Sequence, residues 1–158
     1  MYTRILVAVD GSKTSARALN EAVTMAGLTH GTIHAVYVVD KTPLFNYGGY
    51  YDPVALLDAL RRDGRIALEN AHSVCGKAGV ACKIEMIETE RMTDDIAQTL
   101  QRCAERTRAE LVVMGTHGRR GVSRIVLGSV AERFVRFSQR PVLLVRGTEP
   151  EHATASEA

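Results

Sequence analysis

The sequence predicts an α/β fold, in which a single doubly wound domain builds a parallel sheet with helices on both faces. Short apolar runs alternate along the chain with longer segments in which apolar residues recur every three or four positions. Several of these runs contain no polar residue, which is typical of strands covered on both sides. The alternation implies right-handed crossovers between parallel strands, and 158 residues suit one domain.

The first half of the chain is predicted to hold two strands and two helices. Residues 5–9 form a continuous apolar run, and Ser12 can cap the helix that follows it. Residues 32–39 are apolar and rich in β-branched residues, which indicates a second strand. A loop is predicted over residues 40–53 and a long helix over residues 54–78.

The second half is predicted to hold three strands and two helices. The near-alternation of apolar and polar residues over 80–87 indicates a strand with one wetter face, at a sheet edge. Thr93 can cap the next helix, and residues 111–114 form the fourth strand. A helix is predicted over residues 129–137, because Ser129-Val130-Ala131-Glu132 has the form of a capping box.

The last strand and the domain boundary follow from the C-terminal sequence. Pro141 opens a fifth apolar strand over residues 142–145, where its missing N–H is tolerable. Residues 147–158 have no apolar periodicity, so we expect a disordered tail after a domain of residues 1–146.

Composition and charge argue against several classes of protein. A net charge of +2, with 5% aromatic residues and no tryptophan, does not favour nucleic acid or a membrane surface as a partner. No apolar run approaches the roughly 20 residues that cross a bilayer, and the N-terminal residues do not resemble a signal peptide. The three cysteines lack the spacing of a zinc site. We therefore expect a reducing, cytoplasmic location.

A glycine-rich segment near the C-terminus carries the most chemical meaning. Gly115 and Gly118 follow the fourth strand, and Gly128 and Ser129 come nine residues later, where a helix begins. Such a turn exposes backbone N–H groups beside the positive end of a helix dipole, which suits a phosphate. The segment is neither a P-loop nor a G-x-G-x-x-G turn. Alternatively, the glycines serve only a sharp loop and Ser129 only caps the helix.

Asp10 is a second candidate ligand. Ligands of open parallel sheets bind beyond the carboxyl ends of the strands, where neighbouring connections leave on opposite faces. If the first and fourth strands are neighbours, Asp10 faces the turn at Gly115. In the alternative interpretation, Asp10 only ends its strand and helps to start the next helix.

Three loop features each leave two interpretations open. Arg119, inside the glycine-rich segment, either screens phosphate charge or is simply solvated. His117 is interpreted as a solvent-exposed residue rather than a catalytic one, since no nucleophile accompanies it. The tyrosine- and glycine-rich residues 47–51 either close over a bound nucleotide or form a flexible connector.

Five separated segments between residues 2 and 146 resemble the universal stress protein family. They are Ile5-Leu6-Val7-Ala8-Val9-Asp10-Gly11-Ser12, Val36-Tyr37-Val38-Val39-Asp40, Val113-Met114-Gly115-Thr116-His117-Gly118, Leu127-Gly128-Ser129-Val130 and Arg140-Pro141-Val142-Leu143-Leu144-Val145. The resemblance implies a five-stranded parallel sheet of order 3-2-1-4-5. The intact Gly-x2-Gly-x9-Gly-Ser pattern resembles the ATP-binding branch. One departure is Glu90-Arg91-Met92, which stands where the family often has a Gly-x-Pro turn.

The resemblance also implies a cofactor and a set of site residues. The cofactor is ATP, or AMP or ADP, with Mg2+. Asp10 is expected near the ribose and the metal-bound phosphates, and the backbone of Val38 is expected to contact adenine. The resemblance also places Ala8, Val9 and Met114 in the base pocket and gives Val130 as a further phosphate donor. The expected phosphate site is completed by the residues argued above from the loop itself (Gly115, Gly118, Arg119, Gly128, Ser129). No metal ligand is assigned.

The fifth strand suggests a second copy of the chain as a partner. In the order implied by the resemblance, residues 142–145 lie at a sheet edge, where unpaired backbone and apolar side chains favour pairing. We expect a homodimer formed by antiparallel pairing of this strand with its copy. In the alternative, the tail or the last helix shields the strand.

These observations favour an ATP-binding regulatory protein that senses or signals through its nucleotide state in a stress response. Two alternatives stay open: a slow ATPase or nucleotidyl transferase on the same fold, and an interaction module without a ligand. The sequence has no evident general base and no carboxylate pair for two metals, so no catalytic residue is assigned.

Overall fold

The computed structural model describes residues 1–46, 52–90, 93–118 and 127–147. Its sheet has five strands in the order 3-2-1-4-5, and all neighbouring strands are parallel. The strands are β1 (Arg4–Ala8), β2 (Thr32–Val39), β3 (Ala81–Glu88), β4 (Leu111–Gly115) and β5 (Val142–Val145). The predicted α/β fold and the strand order implied by the resemblance are confirmed.

Five helices are present among the described residues: α1 (Lys13–Thr29), α2 (Thr42–Asn46), α3 (Pro53–Lys77), α4 (Ile96–Arg106) and α5 (Ser129–Phe137). The short helix α2 lies in a segment that we predicted to be loop. It begins just after Asp40, whose Oδ1 accepts a hydrogen bond from the Thr42 N–H at 2.9 Å. No helix in the described parts of the chain combines the length and apolar character needed to cross a bilayer.

Helices cover both faces of the sheet, and successive side chains of each strand alternate between them. On one face, Ile5 and Val7 of β1 pack with buried residues of α1 and α3. We call this cluster of buried side chains the first core. On the other face, Leu6 packs with buried residues of α4 and α5. We call this cluster of buried side chains the second core. Because β1 is the central strand, its carboxyl end lies in the middle of the sheet edge that is formed by the carboxyl ends of the strands.

The predicted range of α5 is confirmed, but two predicted helix caps are wrong. Helix α4 begins after Asp95, whose Oδ1 accepts a hydrogen bond from the Gln98 N–H at 2.7 Å, so Asp95 and not Thr93 is the cap. Helix α5 begins after Gly128, with no side-chain hydrogen bond at its cap. Ser129 is therefore the first helical residue, and the predicted capping box does not form.

Candidate functional site

The ends of β1 and β4 meet at the carboxyl edge of the sheet. These strands are paired, with Val7 opposite Val113. Gly118 follows β4, and Asp10 follows β1. The two residues are so close that a β-carbon built on Gly118 would lie 2.9 Å from Asp10 Oδ2. The expectation that Asp10 faces the glycine-rich turn is confirmed, and a methyl group at position 118 would force the Asp10 carboxylate to shift.

The carboxylate of Asp10 is held by the start of α1. Its Oδ1 accepts a hydrogen bond from the Ser12 N–H at 2.8 Å, and the Asp10 N–H donates to Ser15 Oγ at 3.1 Å. Between them, Gly11 adopts a φ of +82°, a left-handed conformation that favours glycine. Ser12 caps α1 by accepting from the Ser15 N–H, as predicted. The turn thus fixes one carboxylate oxygen and directs the other, Oδ2, toward Gly118.

Gly115 has a packing role that the sequence did not reveal. A β-carbon on Gly115 would lie 2.7 Å from the Thr14 methyl carbon and 3.3 Å from the Thr14 carbonyl carbon. The first turn of α1 therefore rests directly on the end of β4. This close approach brings the N-terminus of α1 to the same edge as the glycine-rich turn.

Gly128 closes the loop that began at Gly118. Its N–H donates to the Thr116 carbonyl oxygen at 2.7 Å, and a β-carbon on Gly128 would lie 2.9 Å from that oxygen. We expected this amide to bind phosphate. That donor role is not available in this structure, because the amide is already used within the protein, and Gly128 instead lets the two ends of the loop meet.

The first turn of α5 supplies the donors that Gly128 does not. Within the described residues, no acceptor is present for the N–H groups of Ser129 and Val130. The Ser129 hydroxyl is not used as a cap. Unpaired amides in the first turn of a helix carry the positive end of its dipole, which attracts anions. The N-terminus of α5 is therefore suited to a phosphate group.

An apolar wall adjoins these polar groups. Ala8, Val38 and Val130 are partly buried and pack on the second core, which includes the buried Met114. These residues come from the ends of β1, β2, β4 and α5, so they line one face at the carboxyl edge of the sheet. An aromatic base could lie against such a wall while its phosphates reach the N-terminus of α5.

Val9 does not belong to this wall. Its side chain is 6% exposed and packs in the first core, on the opposite face of the sheet. Its N–H donates to the Val36 carbonyl at 2.9 Å. The expectation that Val9 lines the base pocket is therefore corrected for its side chain, because residues that alternate along a strand point to opposite faces.

Comparison with known proteins decides the family. The model of the universal stress protein family matches residues 1–146. A universal stress protein of Methanocaldococcus jannaschii is 32% identical over 151 residues, which cover 96% of this chain and 86% of the relative. The chain belongs to the universal stress protein family.

Solved structures of this family share the fold. A universal stress protein family member from Burkholderia pseudomallei is 40% identical, with a TM-score of 0.75 over 91% of this chain and 96% of that chain. A member from Arabidopsis thaliana, solved with AMP bound, is 20% identical, with a TM-score of 0.66 over 95% of this chain and 97% of that chain.

Several features of this universal stress protein were missed from the sequence. Leu127 packs against the second core beside Val130 and extends the apolar wall; its position just before Gly128-Ser129 was the available signal. His117, set aside as a solvent-exposed loop residue, is only partly exposed. Its Nδ1 lies 2.9 Å from Thr116 Oγ1, and its buried Nε2 has no hydrogen-bond partner among the residues that the structure describes.

Two expected contributors lie outside the described residues. They are Arg119, predicted to screen phosphate charge, and residues 47–51, predicted to close over a nucleotide or to connect. The tail beyond Gly147 also lies outside them. The described part of the site therefore consists of one carboxylate, a set of neutral donors and an apolar wall.

This donor set fits a nucleotide phosphate with a bound cation. Amides and a hydroxyl are neutral donors, whereas the Asp10 carboxylate would repel a phosphate brought against it directly. Mg2+ is commonly held between one or two carboxylates and substrate phosphates. Asp10, whose Oδ2 faces Gly118, is thus a described carboxylate at this edge that can hold such a cation.

Proposed function

We propose that this universal stress protein binds an adenine nucleotide, with ATP and Mg2+ as the preferred form, and acts as a regulatory protein through its nucleotide state. The observation that carries the proposal is the meeting of Gly118 with Asp10 near the first amides of α5, which have no acceptor among the described residues. One edge of the sheet thereby offers a cation ligand, phosphate donors and an apolar wall.

The proposed binding mode assigns each part of the nucleotide to a part of this edge. Adenine lies against Ala8, Val38 and Met114. The phosphates accept hydrogen bonds from the amides of Ser129 and Val130, and from the Ser129 hydroxyl. The Asp10 carboxylate holds Mg2+, which bridges to the phosphates. The AMP-bound relative from Arabidopsis thaliana supports an adenine nucleotide as the ligand class.

A titration with the full-length protein tests the proposal. Bound nucleotide is extracted and identified, and ATP, ADP and AMP are then titrated by calorimetry with and without Mg2+ while phosphate release is followed. We expect saturable binding of ATP that tightens with Mg2+, and negligible turnover. Asp10→Ala should remove most of the Mg2+ effect. Absence of binding at millimolar ATP would overturn the proposal, and steady turnover would favour a slow ATPase.

We also propose that two copies pair through β5. This strand lies at the edge of the sheet, and Val142, Leu143 and Leu144 remain only partly buried. An apolar edge strand with unpaired backbone is a template for a second strand, and a two-fold axis lets it pair with its own copy. Sedimentation equilibrium at micromolar concentration should give the mass of a dimer; a monomer would refute this pairing.

A further inference from the structure

A second cluster of chemically reactive side chains lies away from the nucleotide edge. His34 on β2 and Glu85 on β3 point to the α4 side of the sheet, where Cys103 of α4 covers them. The His34 Nε2 to Glu85 Oε2 distance is 2.8 Å, and the Cys103 Sγ to Glu85 Oε2 distance is 4.0 Å. Three ligand atoms, one from each residue, lie within 4.8 Å of one another.

The strand register explains how two of these residues meet. Glu85 pairs with Val36, and His34 pairs with Lys83, so His34 and Glu85 are diagonal neighbours on the same face of adjacent parallel strands. Cys103 is 1% exposed, whereas the side chains of His34 and Glu85 are 20% and 30% exposed. The cluster is thus anchored on the second core and open to solvent on one side.

Imidazole, carboxylate and thiolate are the three ligand types that Zn2+ takes in proteins, with bond lengths of about 2.0 to 2.3 Å. Ligand atoms around a tetrahedral ion of that size are about 3.3 to 3.8 Å apart, by geometry from those bond lengths. The separations of 2.8 and 4.0 Å lie close to this range. Small side-chain movements would therefore suffice to enclose an ion.

A cation already stands at this position. The Arg106 guanidinium lies 2.6 Å from Glu85 Oε1 and 3.5 Å from Cys103 Sγ, so it contacts two of the three candidate ligands. Its side chain is 57% exposed, so the guanidinium can turn toward solvent. Glu85 and Cys103 therefore already contact a positive charge, the Arg106 guanidinium, which an incoming metal ion could replace.

We propose that His34, Glu85 and Cys103 bind a divalent transition-metal cation of the Zn2+ class, which displaces Arg106 and keeps water as its fourth ligand. The Cys103 thiol, which donates to Glu85, gives up its proton to solvent as the sulfur–metal bond forms. His34 binds through Nε2 in the neutral tautomer that carries its hydrogen on Nδ1, so the hydrogen that Nε2 directs at Glu85 exchanges with solvent before the metal binds. Glu85 binds through a carboxylate oxygen, and no change of oxidation state is involved. The site is independent of the nucleotide edge.

Cobalt serves as the spectroscopic probe. Co2+ is titrated into the reduced, tag-free, full-length protein without nucleotide, and the thiolate-to-cobalt absorption band is followed, after which Zn2+ is added to displace it. We expect one equivalent of Co2+ to give the band and one of Zn2+ to remove it. Failure to reach a one-equivalent end point would overturn the proposal.

Matched variants assign the ligands. Cys103→Ser should abolish the band and weaken Zn2+ binding at least about tenfold, since even outer-shell losses cost that much. Cys82→Ser should leave both unchanged. His34→Gln should weaken binding similarly, and His72→Gln, exposed on α3, should not. A band that survives Cys103→Ser, or one lost in Cys82→Ser, would place the metal elsewhere.

A fifth variant, Arg106→Gln, keeps the test decisive if a ligand variant fails to fold. Arg106→Gln removes the competing cation from the cluster and leaves all three ligands in place. It should tighten Zn2+ binding by several-fold. If the cluster serves only as an ion-pair network between α4 and the sheet, Arg106→Gln will not improve binding, and that result would contradict the proposal.

Discussion

Gly118 and Asp10 meet at the mouth between β1 and β4, where a methyl group on Gly118 would lie 2.9 Å from the Asp10 carboxylate. The variant Gly118→Ala should displace this carboxylate and weaken nucleotide binding by about tenfold or more, equivalent to about 1.4 kcal/mol. Calorimetric titration of ATP with Mg2+ measures the effect.

Gly27 provides the matched control for this substitution. It lies in α1, and a β-carbon built on it would have no atom within 4 Å. Gly27→Ala should leave ATP affinity unchanged and raise stability by up to about 1 kcal/mol, because alanine is the better helix former. Equal ATP affinity in Gly118→Ala and the wild type would contradict the role of Gly118.

Ser129 separates ligand binding from helix capping. Because Gly128 is the cap of α5 and Ser129 already lies in the helix, Ser129→Ala should weaken ATP binding several-fold with no loss of stability. Ser12, which does cap α1, gives the contrast: Ser12→Ala should lower stability by about 1 kcal/mol. Thermal unfolding without nucleotide compares the two. A clear loss of stability in Ser129→Ala would indicate that the hydroxyl caps the helix after all.

The carboxylate of Glu88 should make stability depend on pH. A hydrogen bond from Arg61 at 2.6 Å, reinforced by Lys41 at 3.4 Å, lowers the pKa of Glu88 below its usual range. Because the pKa of Glu88 is lower in the folded state than in the unfolded state, its contribution to the stability of the fold is fully present above the unfolded-state pKa. It is lost as the pH falls through the folded-state value.

The stability of a Glu88 variant at different pH values tests whether the contribution of Glu88 is lost on acidification. Glu88→Gln should cost at most about 1 kcal/mol at neutral pH, since the pair is partly solvated. The cost should shrink toward zero at a pH below the pKa of the folded-state carboxyl. Glu69→Gln is the control, because Glu69 is exposed on α3 and has no ion pair in the described part of the chain. Chemical denaturation across acidic pH should show no such trend for Glu69→Gln; a growing cost for Glu88→Gln on acidification would reverse the assignment.

Two phenylalanines three positions apart on α5 test the second core. Phe134 is 1% exposed and Phe137 is 62% exposed. Phe134→Ala should cost about 3 to 5 kcal/mol, because it removes buried apolar surface and leaves a cavity. Phe137→Ala should change stability by less than about 0.5 kcal/mol. Comparable losses in the two variants, measured by denaturant unfolding, would mean that a partner or another part of the chain covers Phe137.

The positions of strands and helices were largely predictable, because burial on both faces imposes a local apolar pattern. β2 and β5 coincide with their predicted ranges, and the ends of the other strands and of α3 differ by one residue. The face of Val9 was also accessible in principle, since its alternation with Ala8 places the two side chains on opposite sides. The capping residue of α4 was less predictable, as Thr93 and Asp95 are both good caps and only the backbone path decides between them.

By itself, the sequence determined the alternation of elements and the glycine spacing that points to a phosphate. Only the tertiary structure decided that the Gly128 amide is used internally, that Thr14 rests on Gly115, and that His34, Glu85 and Cys103 meet. The physical reason is the separation along the chain of the residues that interact. Hydrophobic periodicity acts between near neighbours along the chain, whereas these contacts join residues that only strand pairing and helix packing bring together.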